Sequence, residues 1–291
     1  MSWMVLANPQ AGRRAVSADE ISSALDAAAV AHDIEVVPDP ASMREAVVSV
    51  ARSGRRLAIA GGDGTVSLAV DALIGAGLND AGPLGVLPIG TGCDLLRTFG
   101  ITPTLAVAAH HLAGDRSYRV DVGVAEGEWG RRAFLNVAQA GAGAAAAETA
   151  PKWPRRMGPA RYPLAFLSRL PGFPNCEIDL AGRSPYRGPG LAVIFANAQF
   201  FAGGWNVAPK AILVDGELDV QVFNVKKREA PLLVPKIVKG VHLSNPGVRR
   251  RSMPEAELRT EVPWPFEADG DLLGNTPVRL SMIPLGIEIK I

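Results

Sequence analysis

Leu57-Ala58-Ile59-Ala60 runs straight into Gly61-Gly62-Asp63-Gly64-Thr65, and Leu84-Gly85-Val86-Leu87 runs into Pro88-Ile89-Gly90-Thr91-Gly92-Cys93-Asp94. Each is a short apolar run suited to a buried strand, ending in glycines where a helical pattern begins. Glycines in such a turn let backbone N–H groups approach phosphate closely, and the helix N-terminus adds favourable partial charge. One turn of this kind is an ordinary strand-to-helix connection. Two in succession say more, because in a parallel sheet both open on the same carboxyl edge, where ligands bind. Asp63 is anionic, so it suits a metal ion or its bound water rather than phosphate itself, and another acid, Asp94, again stands at a helix start.

Outward from this pair, the first part of the chain alternates strands and helices. Trp3–Ala7 reads as a strand closed by Asn8-Pro9, and Ile34–Val37 as a second strand. Ser17 or Asp19 can cap a helix carrying Ile21, Leu25, Ala28 and Ala29 on one face, and Ser42 can cap another carrying Ala46, Val47, Val50 and Ala51. A helix is expected from the first glycine turn to about Ile74, another over Asp94–Thr98, and a further one opened by Pro103. This order implies a parallel sheet with helices on both faces. After Tyr118 short alternating segments take over: 119–125, 133–139, 176–180, 191–196, 218–225, 257–261 and 278–283. They predict a mostly antiparallel, β-sandwich-like second part. The expected division is an α/β domain over 1–118, to which 282–291 returns, and a β-rich domain over 119–281.

Composition narrows the function. The 291 residues carry 30 Lys and Arg against 29 Asp and Glu, a net charge of +1, which argues against a nucleic-acid binder. Two cysteines, Cys93 and Cys176, exclude a disulfide scaffold. The longest uncharged stretch, Gly188–Pro209, has 22 residues but is broken by Asn197, Gln199, Asn206 and Gly203-Gly204. It reads as strand, glycine turn and loop rather than a membrane span. A soluble cytoplasmic protein is expected. There is no Walker-type Gly-Lys-Ser/Thr loop, zinc spacing or Gly-x-Ser-x-Gly elbow. Gly141–Ala146 fits the dinucleotide glycine pattern, but no acid lies between Thr149 and Cys176 to hold a ribose, so it reads as a small-residue packing segment.

The two glycine loops together, the second continuing through Asp94 to Arg97, resemble the catalytic domain of the diacylglycerol kinase family. That family includes bacterial lipid kinases and the sphingosine and ceramide kinases, and is a distant relative of NAD kinase. The resemblance spans the chain: Asn8-Pro9 with Gly12, Asp121-x-Gly123, Phe134-x-Asn136, Asn197–Gly204, Ala208-Pro209-x-Ala211, Asp215-Gly216 and Asp269-Gly270-Asp271. It implies transfer of the γ-phosphoryl of ATP to a lipid hydroxyl, with Mg²⁺. By position, Asn8, Gly61, Gly62, Asp63, Gly64, Thr65, Ser67 and Thr91 would hold ATP. Asp271 stands where the family has its catalytic Glu and would be the general base. Asp63, Asp94 and Asp121 match acids linked to Mg²⁺ through water. Asp215 matches the ligand of a structural Mg²⁺, with backbone carbonyls near Ile212 and Glu217. Read from the residues alone, Asp215-Gly216 and Asp269-Gly270 are hairpin turns.

Departures from the family pattern are Cys93 for Asn, Ser67-Leu68 for Asn-Glu, and Asp271 for Glu. Leu68 cannot close a capping box with Thr65, and Asp271 is one methylene shorter. The residues leave two other readings open, an NAD kinase and a non-catalytic nucleotide-binding regulator. A lipid alcohol at a membrane surface is the implied partner, with no nucleic acid, and family members are often dimers. Residues 151–174 hold Lys152, Arg155, Arg156, Arg161 and Arg169 with Trp153, Tyr162 and Phe166 and no acid. That suits an anionic membrane surface or, equally, a packed helix with a basic face. Lys226-Lys227-Arg228 and Arg249-Arg250-Arg251 read as exposed loop charge.

Overall fold

The computed structural model describes residues 2–12, 16–90, 92–154, 157 and 161–291. Arg155 and Arg156 of the basic segment lie outside the described residues. The chain divides into two compact units, one of residues 1–122 and 284–291, the other of 123–283. The division therefore falls inside a strand, at Val122/Gly123, rather than at 118/119.

In the first unit, β1 (Trp3–Ala7), β2 (His32–Val36), β3 (Arg56–Gly61) and β4 (Leu84–Pro88) form a parallel sheet in the order β2-β1-β3-β4. Ile289 and Lys290, at the end of the last strand, add to β4 in parallel. Alternation along β1 sends Trp3, Val5 and Ala7 to one face. There they meet Ile21 and Leu25 of α1 (Ala18–Ala27) and Leu112 of α5 (Leu105–Ala113). α2 (Pro40–Arg52) and α3 (Asp63–Gly75) pack together, burying Met43, Val47, Val66 and Val70. α1 starts in a full capping box between Ser17 and Glu20, and Ala29 lies beyond its end at φ +55°. The cap of α2 is Asp39, not Ser42: Pro40 pre-sets the first turn, and the Ser42 N–H donates to Asp39 Oδ1 at 2.9 Å.

The second unit is a β-sandwich with helices on one side. β7 (Val137–Gly141), β10 (Ala192–Ala196), β11 (Leu218–Phe223), β12 (Val248–Met253), β14 (Pro265–Ala268) and β15 (Asp271–Asn275) form a six-stranded antiparallel sheet, ordered β12-β11-β10-β7-β14-β15. The opposing layer holds β8 (Cys176–Gly182), β9 (Tyr186–Gly190), β13 (Glu255–Thr260) and the first part of β16 (Val278–Lys290). Phe195, Trp264 and Phe266 pack against Ile178, Leu258 and Leu280 in its core. β5 (Ser117–Gly127) enters the unit and turns back as β6 (Gly130–Phe134). The strand expected over 133–139 is thus two strands, broken at Leu135-Asn136, and its cause lies in the site described below. α6 (Ala142–Thr149) is a buried alanine helix behind Gly141, where a Cβ would lie 2.6 Å from the Leu191 carbonyl. α7 (Arg161–Arg169) and α8 (Ala230–Val238) complete the unit. The uncharged 188–209 stretch runs through β10 into a turn, with Gly203 and Gly204 at positive φ. Among the described residues no helix is long and apolar enough to cross a membrane.

Candidate active site

In the first unit the two glycine loops meet at the carboxyl edge of the sheet. Gly90 N–H and Ile89 N–H both donate to the Gly61 carbonyl, at 3.3 and 3.1 Å. A Cβ on Gly90 would stand 2.5 Å from the Gly62 Cα, so no side chain fits between the loops. Asn8 Nδ2 donates to Thr65 Oγ1 at 3.0 Å, tying the first loop of the chain to the same place. α3 is capped by Gly62 rather than Thr65, so Thr65 and Leu68 both lie inside the helix, and no side chain caps its start. Asp63 Oδ1 accepts the Asp94 N–H at 2.6 Å, and Arg97 Nε lies 3.8 Å from Asp94 Oδ1 while donating to the Gly92 carbonyl at 3.1 Å.

Two of the residues implied for the site in this unit, Ser67 and Asp121, are buried. Ser67 is buried, and its hydroxyl has no hydrogen-bond partner among the described residues, so it is not displayed to a nucleotide. Asp121 is fully buried and accepts the Leu285 N–H at 2.7 Å, bracing β5 against β16. Thr91 lies outside the described residues.

Cys93 sits at φ +53°, ψ +51° as the cap of α4 (Asp94–Thr98). Burial, then the charges of Asp63 and Asp94, push its thiol up to about 12, so it is not a nucleophile. Asn tolerates this left-handed conformation best among non-glycine residues.

In the second unit, segments far apart in sequence converge on one carboxylate. Asp269-Gly270 forms the two-residue turn between β14 and β15, with both residues at positive φ (+48° and +92°). The buried Asp269 carboxylate accepts three backbone N–H groups: Leu135 at 2.8 Å, Asn136 at 2.9 Å and Val137 at 3.0 Å. These N–H groups point at a side chain, which is why the ladder breaks between β6 and β7. The Asn136 carbonyl accepts from Asn197 and Ala198, and Asn197 Nδ2 donates to the Leu135 carbonyl at 2.8 Å. Asp271, the next residue after the turn, has a half-exposed carboxylate paired with Arg132 Nη2 at 2.6 Å, and Arg132 itself is buried on β6. The sequence reading missed both Arg132 and the clamping role of Asp269.

Asp215 lies before β11 in a turn of its own, not a hairpin. Its Oδ1 accepts the Glu217 N–H at 3.0 Å, Gly216 is at φ +72°, and Ile212 is exposed. Glu217 pairs with Arg183 and accepts from Ser252, which hold its carboxyl below the usual range. Among the described residues no three acidic, histidine or cysteine side chains gather as a metal centre.

On the helix side of the six-stranded sheet lies a cavity of about 100 Å³, lined by Val137, Gln139, Tyr162, Phe166, Trp205 and Ile237 among others. Its polar wall, Gln139, donates to the fully buried Glu267 at 2.5 Å. Burial, with help from the charges of Asp269 and Asp271, pushes the Glu267 carboxyl up to about 8 against Gln139's opposing hydrogen bond. Glu267 is therefore neutral in the folded protein at pH 7 and ionised in the unfolded chain. Its contribution to stability is full below the ordinary carboxyl range and is lost as pH rises toward 8. Glu267→Gln removes that loss. Thermal or urea melts should show the variant more stable by on the order of 3 kcal/mol at pH 7, the gap closing below pH about 4.

The first unit thus carries two glycine loops on a parallel α/β sheet, and the second a carboxylate fixed beside a β-sandwich turn. The diacylglycerol kinase catalytic domain model matches residues 2–125, and the YegS C-terminal NAD kinase beta sandwich-like domain matches 136–291. A Mycobacterium tuberculosis protein named diacylglycerol kinase is 30% identical over 251 residues, covering 83% of this chain and 78% of its own. One from Pseudomonas syringae, named "Probable lipid kinase YegS-like", is 27% identical over 84% of this chain and 78% of its own. The solved structure of a diacylglycerol kinase from Bacillus anthracis superposes with a TM-score of 0.76 over 99% of this chain and 96% of that one, at 18% identity. The chain belongs to the diacylglycerol kinase family and carries its YegS-type C-terminal domain.

Proposed function

We propose that the protein transfers the γ-phosphoryl of ATP to the hydroxyl of a lipid at a membrane surface, with Asp271 as general base. The observation that carries the reading is the Asp271 carboxylate, held by buried Arg132 at 2.6 Å on a turn clamped by Asp269. A base must be fixed within hydrogen-bond reach of the proton it removes, and the shorter reach of Asp is met here by a rigid seat. The lipid O–H bond breaks with its proton passing to Asp271, the new O–P bond forms, and ADP leaves with the electron pair of the broken P–O bond. Gly61, Gly62 and Gly90 supply a surface against which phosphates fit, with the uncapped start of α3 behind it. Mg²⁺ is held mainly by phosphates with one or two carboxylates. Asp63 and Asp94 would supply those, and the ion would neutralise phosphate charge. The apolar cavity favours a lipid acceptor over NAD.

The test is an ATP phosphotransfer assay on diacylglycerol, ceramide, sphingoid bases, phosphatidylglycerol and NAD. Transfer to a lipid alcohol is expected. Transfer to NAD alone, or to nothing in the panel, would overturn the reading.

A further inference from the structure

Charge is segregated along this chain. Residues 151–175 and 226–253 together hold thirteen of the thirty Lys and Arg but only one of the twenty-nine Asp and Glu, Glu229. The near-neutral total therefore covers a strongly basic part and an acidic remainder. The fold brings α7 and the 226–239 part of these stretches side by side, while Arg249–Arg251 lie on β12, where Arg250 pairs with Asp219. Tyr162 and Phe166 of α7 and Val234 and Ile237 of α8 line the same cavity. Lys227 Nζ donates to the Pro171 carbonyl, just past α7, at 3.0 Å.

The faces turned away from the cavity are apolar where a surface helix is usually polar. Leu164 and Leu167 of α7 are exposed, as are Leu232 (71%) and Val238 of α8 and Val241 (55%) just after it. On α8, Leu232, Lys236 and Lys239 lie at i, i+4 and i+7, so the apolar and basic side chains share one stripe. Single exposed leucines are ordinary, but four exposed aliphatic residues on two helices and a fifth just past them, flanking an apolar cavity and with more cations than acids, are not. Water does not favour that surface, whereas a sheet of negative headgroups over hydrocarbon matches both of its features.

We propose that the outer faces of α7 and α8, with the basic turn Lys226–Arg228, form a docking surface for an anionic phospholipid bilayer. Leu232 and Val241 enter the acyl boundary, and Lys236 and Lys239 sit among the headgroups. Lys226, Lys227 and Arg228, which the sequence alone assigns to ordinary exposed charge, thereby become part of the surface. The inference rests on the lipid-kinase reading only for its purpose, since the binding itself needs no ATP.

The test is co-sedimentation, without ATP, with phosphatidylcholine–phosphatidylglycerol vesicles and with phosphatidylcholine alone. Each cation at an anionic surface contributes roughly fivefold, so K236Q/K239Q should bind the mixed vesicles roughly 30-fold more weakly. Leu232→Ser should weaken binding further, and added salt should release the wild type. Equal binding by K236Q/K239Q and wild type, or equal wild-type binding to both vesicle types, overturns the proposal. Phosphotransfer to detergent-dispersed diacylglycerol is scored separately. Activity there without vesicle binding sinks the docking surface alone, and vesicle binding without any phosphotransfer sinks the kinase reading alone.

Discussion

Asp269→Ala is expected to destabilise the protein by about 4 kcal/mol or more, because hydrogen bonds to a charged group contribute roughly 1.5–3 kcal/mol each. The carboxylate takes three backbone N–H groups, from Leu135, Asn136 and Val137, in a place closed to water. Alanine would leave all three buried and unpaired. It would also have to hold φ +48°, which Asp tolerates better than Ala. Asp269→Asn separates the two effects. It keeps the turn and one acceptor oxygen, while its amide N–H₂ faces a donor, so it should lose about half as much. Urea denaturation of the three proteins checks the order wild type, Asn, Ala. A shift under about 1 kcal/mol for Ala would show that the clamp is not what seats the 135–137 link.

That clamp also marks how far the sequence could be read. The glycine loops were legible because their demand is local. Gly90 must lack a side chain for a steric reason that its own strand-to-helix turn announces, and the strands before it are continuous apolar runs. Ser17 was legible as a cap because Glu20 stands three residues on. Ser42 misled because Asp39-Pro40 supplies a better start one turn earlier. The second unit was harder. Its strands were visible as alternating segments, but Asp269 meets Leu135 across 134 residues, and Arg132 meets Asp271 across 139. Nothing near Arg132 in sequence distinguishes it from its neighbour Arg131, and only the pairing of β6 and the β15 turn selects it. The segment 133–139 alternates like one strand, and the break at Leu135-Asn136 is imposed from outside by a carboxylate. Ser67 and Asp121 stand at family positions, but the fold buries both.

Asp271→Asn should abolish most turnover and leave the fold intact. General-base removal costs typically 10²–10⁴ in kcat. The Asn side chain is isosteric, keeps an oxygen to accept from Arg132, and sits at a half-exposed position where stability effects are small. ATP binding, followed by a fluorescent nucleotide, should be unchanged, since the phosphates are proposed to rest on the glycine loops and not on Asp271. Arg132→Gln tests the seat rather than the base. It removes the partner that fixes the carboxylate, so kcat should fall, but less than in Asp271→Asn. Asp271→Glu is the third arm. If the seat compensates for the short side chain, the added methylene should lower kcat by misplacing the oxygen. If the position merely tolerates either acid, Glu should match the wild type. Full turnover in Asp271→Asn would remove the base from this residue and return the search to the other carboxylates.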